Sequence, residues 1–225
     1  MEKHVVVIYA HPDDESFGAA GSILNYRKKG VPVTYLCGTL GEMGRNMGSP
    51  TFANRETLPR IRARELEEVG QYLDINIRLL GYRDKTLEFE DQETVAGHIK
   101  DVLEEMKPSL VITHYPGYAV HPDHDALGAA TIKAVEMMSE DKRPTVWAQA
   151  ITHDYQEVLG EPDIVHDVTN IFDDKMASIL VHRSQAEGML KEMQGDPEIA
   201  ENVKQDLKMR LGKEQFYVWS FSNAN

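Results

Sequence analysis

The chain is poor in cysteine and in positive charge. Only one of its 225 residues is a cysteine, so no disulfide can form within the chain, as is usual in a reducing compartment. Its 24 Lys and Arg residues face 37 Asp and Glu residues, for a formal net charge of -13 at pH 7. The electrostatic field of this negative charge repels nucleic acid and anionic lipid surfaces, and we expect neither as a partner.

Long apolar runs are also missing. The longest, Val5 to Ala10, is far shorter than the roughly 20 residues of a membrane span, and the mean hydropathy is -0.43. The N-terminal residues lead straight into a charged segment and do not have the pattern of a secretory signal. We therefore expect a cytoplasmic protein without a membrane helix, folded as one domain over residues 1–225.

Apolar strands alternate with amphipathic helices along most of the chain. This alternation predicts an α/β fold, with a mostly parallel sheet and helices on both of its faces. Strands are predicted at 5–10, 31–39, 75–80, 109–114, 145–152 and 164–168. Helices are predicted at 18–29, 59–73, 92–106 and 126–138, and 173–211 is expected to be largely helical.

Two segments fall outside this pattern. Residues 40–58 are crowded with Gly, Asn, Ser and Pro and show no period, and a loop of that length in a compact domain is usually functional. At the other end, Phe216, Tyr217 and Trp219 predict a C-terminal tail that docks onto the body or onto a neighbouring subunit.

Histidine and aspartate cluster directly after two of the predicted strands. The first strand runs into His11-Pro12-Asp13-Asp14-Glu15, and the fourth leads to His121-Pro122-Asp123-His124-Asp125. Ligands of open α/β sheets gather at the carboxyl ends of the strands. Together the clusters could supply three ligands to a divalent metal and still leave an acid and a base. A donor set of His and Asp without Cys suits Zn²⁺ and also admits Fe²⁺, Mn²⁺, Co²⁺ or Ni²⁺.

Other interpretations of these residues exist. A helix N-terminus with acidic residues near its dipole would explain His11 and the three carboxylates that follow it. His121 and His124, taken singly, fit ordinary surface or core histidines. A dinucleotide site is disfavoured, because no G-x-G-x-x-G is present and the first turn carries negative charge. The coincidence of two such clusters at one sheet edge favours a metal site.

The paired motifs closely resemble those of the metal-dependent deacetylases of the LmbE or PIG-L family. The resemblance rests on the segments Ala10 to Glu15 and His121 to His124. Gly41-Glu42, Arg62-Ala63-Arg64-Glu65 and Leu80-Gly81-Tyr82-Arg83-Asp84 also follow in the order of the family. The resemblance is specific up to the second motif and only general beyond it.

The resemblance implies a Rossmann-like fold, a metal that is usually zinc, and removal of acetyl groups from N-acetylglucosamine derivatives. It makes His11, Asp14 and His124 the metal ligands. Asp13 would then be the general base that activates the attacking water. His121 would stabilise the oxyanion and assist the leaving amine.

Further roles follow from the same resemblance. Asp123 would orient the ring of His121, and Arg62 and Asp84 would hold the sugar and its substituent. Some relatives carry a tyrosine over the oxyanion, two residues before the first His of the second motif. This chain has Ala119 at that position and Tyr118 one residue earlier, so Tyr118 is the candidate for this contact.

The length of the chain and the loop at 44–58 are similar to those of the deacetylases of bacillithiol synthesis, which act on N-acetylglucosaminyl-malate. Five arginines and no lysine lie between Gly41 and Arg64, and Arg binds carboxylates bidentately. Arg45 or Arg55 is expected to hold the malate. Helix-face pairing with nearby glutamates explains Arg60 and Arg64 equally well.

Three further expectations complete the sequence-based hypothesis. The substrate is a small N-acetylated sugar, with another N-acyl sugar or a thiol conjugate as the alternative. A non-catalytic module that binds a sugar or nucleotide is the remote alternative. Relatives often form trimers or hexamers, so a homo-oligomer is expected.

Overall fold

The protein folds around one seven-stranded β-sheet. A computed structural model describes residues 2–45, 48, 50–193 and 197–221. The strands are β1 (Val5–Tyr9), β2 (Val33–Cys37), β3 (Asn76–Leu79), β4 (Leu110–His114), β5 (Thr145–Gln149), β6 (Ile164–Asp167) and β7 (Lys213–Val218). The helices are α1 (Asp14–Lys28), α2 (Leu58–Leu73), α3 (Gln92–Met106), α4 (Pro122–Glu136), α5 (Tyr155–Leu159), α6 (Phe172–Val181), α7 (Arg183–Met193) and α8 (Pro197–Leu211).

The strand order is β3-β2-β1-β4-β5-β7-β6, and the pairs from β3 to β5 are parallel. In register, Val5 of β1 lies between Val33 of β2 and Leu110 of β4. The predicted α/β class with a mostly parallel sheet is thus confirmed. Because β1 and β4 are neighbours, their carboxyl ends bring the two His/Asp motifs to one place on the sheet edge.

Helices cover both faces of the sheet, as the unbroken apolar character of β1 predicts. Val5, Val7 and Tyr9 of β1 belong to the core under α1 and α2. Val6 and Ile8 point to the opposite face and belong to the core under α3 and α4. These side chains are all fully buried, so the site at the end of β1 is supported by a closely packed core.

The last strand, β7, was missed by the sequence analysis, which predicted a docking tail there. It pairs antiparallel with both β5 and β6, and Phe216 stacks on Trp147 of β5 at a ring-centroid distance of 5.6 Å. The polar run Lys213-Glu214-Gln215 does not show the alternation of apolar residues that predicts a strand, because the buried residue within it, Glu214, is charged.

Two helices begin earlier than predicted. Helix α1 starts at Asp14 instead of Gly18, and α4 starts at Pro122 instead of Ala126. Acidic residues in the first turn complement the helix dipole, and proline is favoured at the first helical position because its missing N–H needs no partner there. The polar motifs are therefore helix N-termini as well as strand ends, so the helix-terminus interpretation and the metal interpretation describe the same residues.

The helical segment predicted at 173–211 contains α6, α7 and α8. They pack around a third apolar cluster that includes Phe172, Met176, Ile179 and Leu207. No helix within the described ranges is long and apolar enough to cross a membrane.

A buried ion pair ties this segment to the rest of the fold. Lys175 Nζ of α6 lies 2.6 Å from Glu214 Oε1 of β7, and both side chains are 1% exposed. The same carboxylate accepts hydrogen bonds from the backbone N–H groups of Gly21 and Ser22 in α1, at 2.8 and 2.7 Å. Glu214 thus joins α1, α6 and β7 through one buried negative charge.

We expect Lys175→Met to destabilise the protein by about 3–5 kcal/mol, because the charge of Glu214 then stays buried without its cation. The free energy of unfolding from reversible urea titrations measures the effect. The matched control is Lys204→Met. It removes a partly exposed lysine that lies 2.9 Å from Asp173 and should leave the stability nearly unchanged. Equal losses in the two variants would contradict this role for the buried pair.

Candidate active site

The first part of the site is the turn between β1 and α1. The backbone N–H of His11 donates to Asp14 Oδ2 at 2.8 Å, which fixes the Asp14 carboxylate at the sheet edge. The Tyr35 hydroxyl of β2 donates to the backbone oxygen of His11 at 2.6 Å. Asp13 precedes the helix with a positive φ of 105°, a backbone conformation that residues other than glycine rarely adopt.

The second part is the N-terminus of α4. His121 caps this helix, and its Nδ1 accepts a hydrogen bond from the backbone N–H of Asp123 at 3.1 Å. Pro122 occupies the first helical turn. His124 lies one position after Asp123 on the same turn and stacks on His114 at the end of β4, with ring centroids 4.1 Å apart.

Three potential ligand atoms from the two parts converge. His11 Nδ1 lies 3.0 Å from His124 Nε2, and Asp14 Oδ2 lies 3.5 Å from the former and 3.2 Å from the latter. Ligand atoms at 2.0–2.2 Å from a tetrahedral zinc are about 3.3–3.6 Å apart. The triangle has the size that one divalent cation requires.

Outer contacts turn the lone pairs of both imidazoles toward the centre of this triangle. His124 Nδ1 lies 3.0 Å from the backbone oxygen of Ala119, which can only accept, so the ring hydrogen is on Nδ1 and Nε2 carries a lone pair. His11 Nε2 lies 3.2 Å from Asp84 Oδ1 and 3.5 Å from Asp123 Oδ2 without hydrogen-bond geometry, and the negative charge of these carboxylates favours the ring hydrogen on this outer nitrogen. At this separation the two inner ring nitrogens and the carboxylate repel one another unless a positive charge, either a ring proton or a metal cation, lies between them.

The electrostatics of the cluster also favour a cation. Burial alone would lower the pKa of His11, but the carboxylates of Asp123, Asp14 and Asp84 raise it well above its usual value. Further potential metal ligands surround the triangle. His121 could bind a metal together with His11 and His124, and His114 could do so together with Asp14 and His124. The donor set therefore fits a divalent metal of the zinc or iron type.

Asp13 lies beside the triangle and not in it. Its carboxylate Oδ2 is 3.3 Å from Arg62 Nη2. Burial raises the pKa of Asp13 to about 6, while the Arg62 guanidinium opposes that rise. Consecutive aspartates thus have different surroundings, because Asp14 faces two imidazoles that hold its pKa well below the usual range against the effect of burial.

His121 lies on the other side of the triangle, with its ring edge-on to His11 at 4.8 Å between centroids. Because Nδ1 accepts from a backbone N–H, the hydrogen of the neutral ring is on Nε2. Burial and the nearby rings of His11 and His124 lower the pKa of His121. This imidazole therefore offers one N–H donor next to the triangle.

A cavity of about 230 Å³ opens above these groups. It is lined by His11, Asp13, Asp14, Gly44, Arg62, Asp84, Lys85, His121, His124 and Gln185. All the predicted ligands, the predicted base and the predicted oxyanion donor reach this one space. An amide carbonyl placed there would meet the triangle, a carboxylate and an imidazole N–H.

The predicted sugar contacts, Arg62 and Asp84, line the cavity but are held by the protein. Arg62 is 4% exposed, and its guanidinium donates to the backbone oxygens of Pro12 and Gly41. Gly41 has a positive φ of 62°, and a side chain there would collide with this guanidinium. Asp84 accepts from the backbone N–H of Met43 at 2.7 Å. Contact of either residue with a sugar stays a prediction.

The other predicted substrate contacts lie farther out. Arg45 is exposed, and its backbone oxygen accepts a hydrogen bond from Gln185, which lines the cavity. Arg55 is exposed before α2 and is not among the described residues that line the cavity. Tyr118 packs edge-on against Tyr115 at 5.5 Å. Roles of these three residues in substrate binding stay predictions.

The structure adds detail to Asp123. Its carboxylate accepts from the backbone N–H groups of Lys85 at 2.6 Å and Leu87 at 3.1 Å, and it also faces His11 Nε2. Its link to His121 in the structure runs through its backbone N–H. The predicted orienting of His121 by the carboxylate stays untested, whereas the geometry shows this carboxylate beside a ring of the triangle.

Sequence reasoning missed several residues of the site. Gln185 and Lys85 line the cavity, and the buried His182 pairs with Glu15, the last residue of the first motif. No spacing rule connects residues 167 positions apart, so only the fold could bring this pair together.

Comparison with known proteins agrees with this geometry. The profile of the family described as "PIG-L: GlcNAc-PI de-N-acetylase" matches residues 6–135. A Bacillus subtilis (strain 168) protein named probable N-acetyl-alpha-D-glucosaminyl L-malate deacetylase 2 is 54% identical over 195 residues, or 86% of this chain and 88% of that protein. A Bacillus anthracis protein of the same name is 43% identical over 225 residues, or 100% of this chain and 98% of that one.

Solved structures share the fold of this chain. N,N'-diacetylchitobiose deacetylase from Pyrococcus horikoshii has a TM-score of 0.72 and 26% identity, over 97% of this chain and 84% of that one. The conserved protein TT1542 from Thermus thermophilus shares the fold, with a TM-score of 0.72 and 21% identity over 100% and 99% of the two chains. Because the family profile matches residues 6–135 and the Bacillus relatives are 54% and 43% identical, the chain belongs to the PIG-L family of de-N-acetylases.

Proposed function

We propose that the protein is a metal-dependent deacetylase that hydrolyses the acetamide of N-acetylglucosaminyl-malate. The observation that carries the proposal is the pairing of a cation-sized triangle with a carboxylate that stays outside it. A protein that only binds a metal or a sugar has no need of the second carboxylate. A hydrolase needs it as a base.

His11, Asp14 and His124 would hold the cation, for which Zn²⁺ or Fe²⁺ is proposed. Once bound, such a cation supplies Lewis acidity, which polarises the amide carbonyl and lowers the pKa of water. Asp84 and Asp123 keep the His11 ring in place from behind. Arg62 keeps the Asp13 carboxylate at the cavity wall.

The residues around the triangle divide the proton transfers between them. Asp13 takes a proton from the attacking water on its carboxylate, and that proton then passes to the nitrogen of the departing amine. His121 donates its Nε2–H to the oxyanion of the tetrahedral adduct and assists the departure of the amine. The products are acetate and the free amino sugar.

The malate part of the proposal is supported by relatives and by charge. The relatives from Bacillus subtilis and Bacillus anthracis carry an N-acetylglucosaminyl malate deacetylase name at 54% and 43% identity. In a chain with a net charge of -13, arginines beside the cavity are suited to an anionic substituent. Arg45 adjoins Gly44 of the cavity wall.

The first test separates the base from the ligands. Asp13→Asn should keep its bound metal but lower kcat about 10²–10⁴-fold, because the amide cannot take the proton of the water. His11→Ala should lose the metal and all turnover, because one corner of the triangle is gone. Amine release from N-acetylglucosaminyl-malate and metal content by atomic spectroscopy measure both effects.

Chelator-treated wild-type protein is the control for this test, and activity should return on adding Zn²⁺ or Fe²⁺. Full turnover by Asp13→Asn would exclude Asp13 as the base. A protein purified without added metal that neither contains metal nor binds it would refute the whole proposal.

The second test addresses the malate. Arg45→Ala should raise KM for N-acetylglucosaminyl-malate roughly tenfold, the effect of losing one charge-assisted hydrogen bond. KM for the uncharged methyl glycoside of N-acetylglucosamine should not change. Arg55→Ala tests the second candidate in the same way.

Arg60→Ala is the matched control, since Arg60 is an exposed arginine of α2 that is not among the described residues lining the cavity. Its KM values should equal those of the wild type. If every variant kept the wild-type KM for each of the two substrates, these arginines would be removed from the proposal. Preference of the wild type for another N-acyl sugar or a thiol conjugate would move the proposal to that substrate.

A further inference from the structure

A buried histidine from the C-terminal part of the chain contacts the turn that carries the proposed base. His182 ends α6, and its Nε2 lies 2.6 Å from Oε1 of Glu15 in the first turn of α1. Neither side chain is exposed. Metal ligation and substrate contact, as proposed above, do not account for this pair.

The Glu15 carboxylate is the centre of a small hydrogen-bond network. Its Oε2 accepts the backbone N–H of Asp13 at 3.0 Å, and its Oε1 also accepts the Ser16 hydroxyl at 2.7 Å. His182 therefore contacts the acceptor that holds the main chain of Asp13. A buried carboxylate needs such partners, because a charge left without them is costly.

The main chain of Asp13 needs to be held. Its φ of 105° belongs to a region that costs a non-glycine residue about 1–3 kcal/mol and persists only where the surroundings enforce it. The next residue, Asp14, starts α1, and its carboxylate is one corner of the triangle. This turn lets two consecutive carboxylates serve different functions, and the hydrogen bond from Asp13 N–H to Glu15 spans it.

His182 is itself fixed in place. Its backbone N–H donates to the oxygen of Ile179 at 3.1 Å, and its backbone oxygen accepts from Gln185 and Ala186, each at 2.9 Å. The break between α6 and α7 thus sets the direction of the ring. The other ring nitrogen, Nδ1, is buried and has no hydrogen-bond partner among the described residues, so contact with Glu15 is the polar function of this side chain.

We propose that His182 is a positioning residue for Asp13, acting through the Glu15 carboxylate. The proposal rests on the role of Asp13 as base that is proposed above. By holding Glu15, His182 keeps the Asp13 main chain in its left-handed conformation and its carboxylate at the cavity wall. The C-terminal part of the chain thereby takes part in the reaction without touching the substrate.

Two substitutions of His182 form the test. In His182→Gln the amide nitrogen can reach the place of Nε2, whereas in His182→Asn it reaches only about as far as Nδ1. We expect His182→Asn to lower kcat roughly 10–100-fold, as loss of such supporting partners does, with KM and metal content unchanged. His182→Gln should recover most of the lost kcat.

Ser184→Ala is the matched control from the same helix junction. Ser184 is buried, and its hydroxyl donates to Glu65 of α2 at 2.6 Å. Its loss should lower the melting temperature but leave kcat as in the wild type. Equal losses of kcat in His182→Asn and Ser184→Ala would overturn the proposal, since general loosening would then explain both. Unchanged kcat in His182→Asn would overturn it as well.

A second measurement does not depend on turnover. Hydrogen exchange of the Asp13 amide, followed by NMR in the metal-loaded protein, should accelerate at least tenfold in His182→Asn and stay slow in His182→Gln and Ser184→Ala. Unchanged exchange in His182→Asn would overturn the proposal. If the wild type deacetylates no sugar, the proposed function fails, and amide exchange still decides whether His182 positions this turn.

Should His182→Asn not fold, Glu15→Asp replaces it. This variant draws the carboxylate back by one methylene from both His182 and the Asp13 N–H. The same fall in kcat and the same faster exchange are expected, and their absence would contradict the proposal.

Discussion

The rest of the site depends on one electrostatic constraint, the convergence of two imidazole lone pairs and a carboxylate within 3.0–3.5 Å. Such an arrangement is unfavourable unless a positive charge neutralises it, so the fold must hold each group by contacts on its outer side. The backbone oxygen of Ala119 holds His124, and Asp84 and Asp123 face the outer nitrogen of His11. These outer contacts set which nitrogen carries the hydrogen, and with it the chemistry.

The sheet and two helix N-termini bring these groups together. Because β1 and β4 are adjacent and parallel, the residues that follow them meet at one edge. Each motif then starts a helix, so Asp14 and Asp123 lie in first turns where negative charge is favoured by the helix dipole. For Asp14, a place in the first turn of a helix and a place in the triangle are not competing explanations. The same turn geometry satisfies the helix terminus and directs side chains into the cavity.

Much of this could be predicted from the sequence, and the exceptions have physical causes. The unbroken apolar run at Val5–Tyr9 and the alternation of strands and helices indicated a parallel sheet, and the motif positions indicated the site. β7 was missed because its buried Glu214 looks like a surface residue until Lys175 is seen beside it. The early starts of α1 and α4 were missed because motif residues carry no helical hydrophobic period. No sequence motif includes His182, because its partner Glu15 is distant in the sequence.

The last third of the chain also explains why ligands alone do not make the site. Three buried glutamates of α1, α2 and β7 each have a partner in α6 or α7 or at their junction: Glu15 with His182, Glu65 with Ser184 and Glu214 with Lys175. The matched family profile ends at residue 135, before all three partners. A buried carboxylate without a partner is strongly destabilising, so the helices that carry the first motif and Arg62 need this segment. The first part of the chain supplies the reacting groups, and the last part supplies the partners without which the buried glutamates of the first part would be left uncompensated.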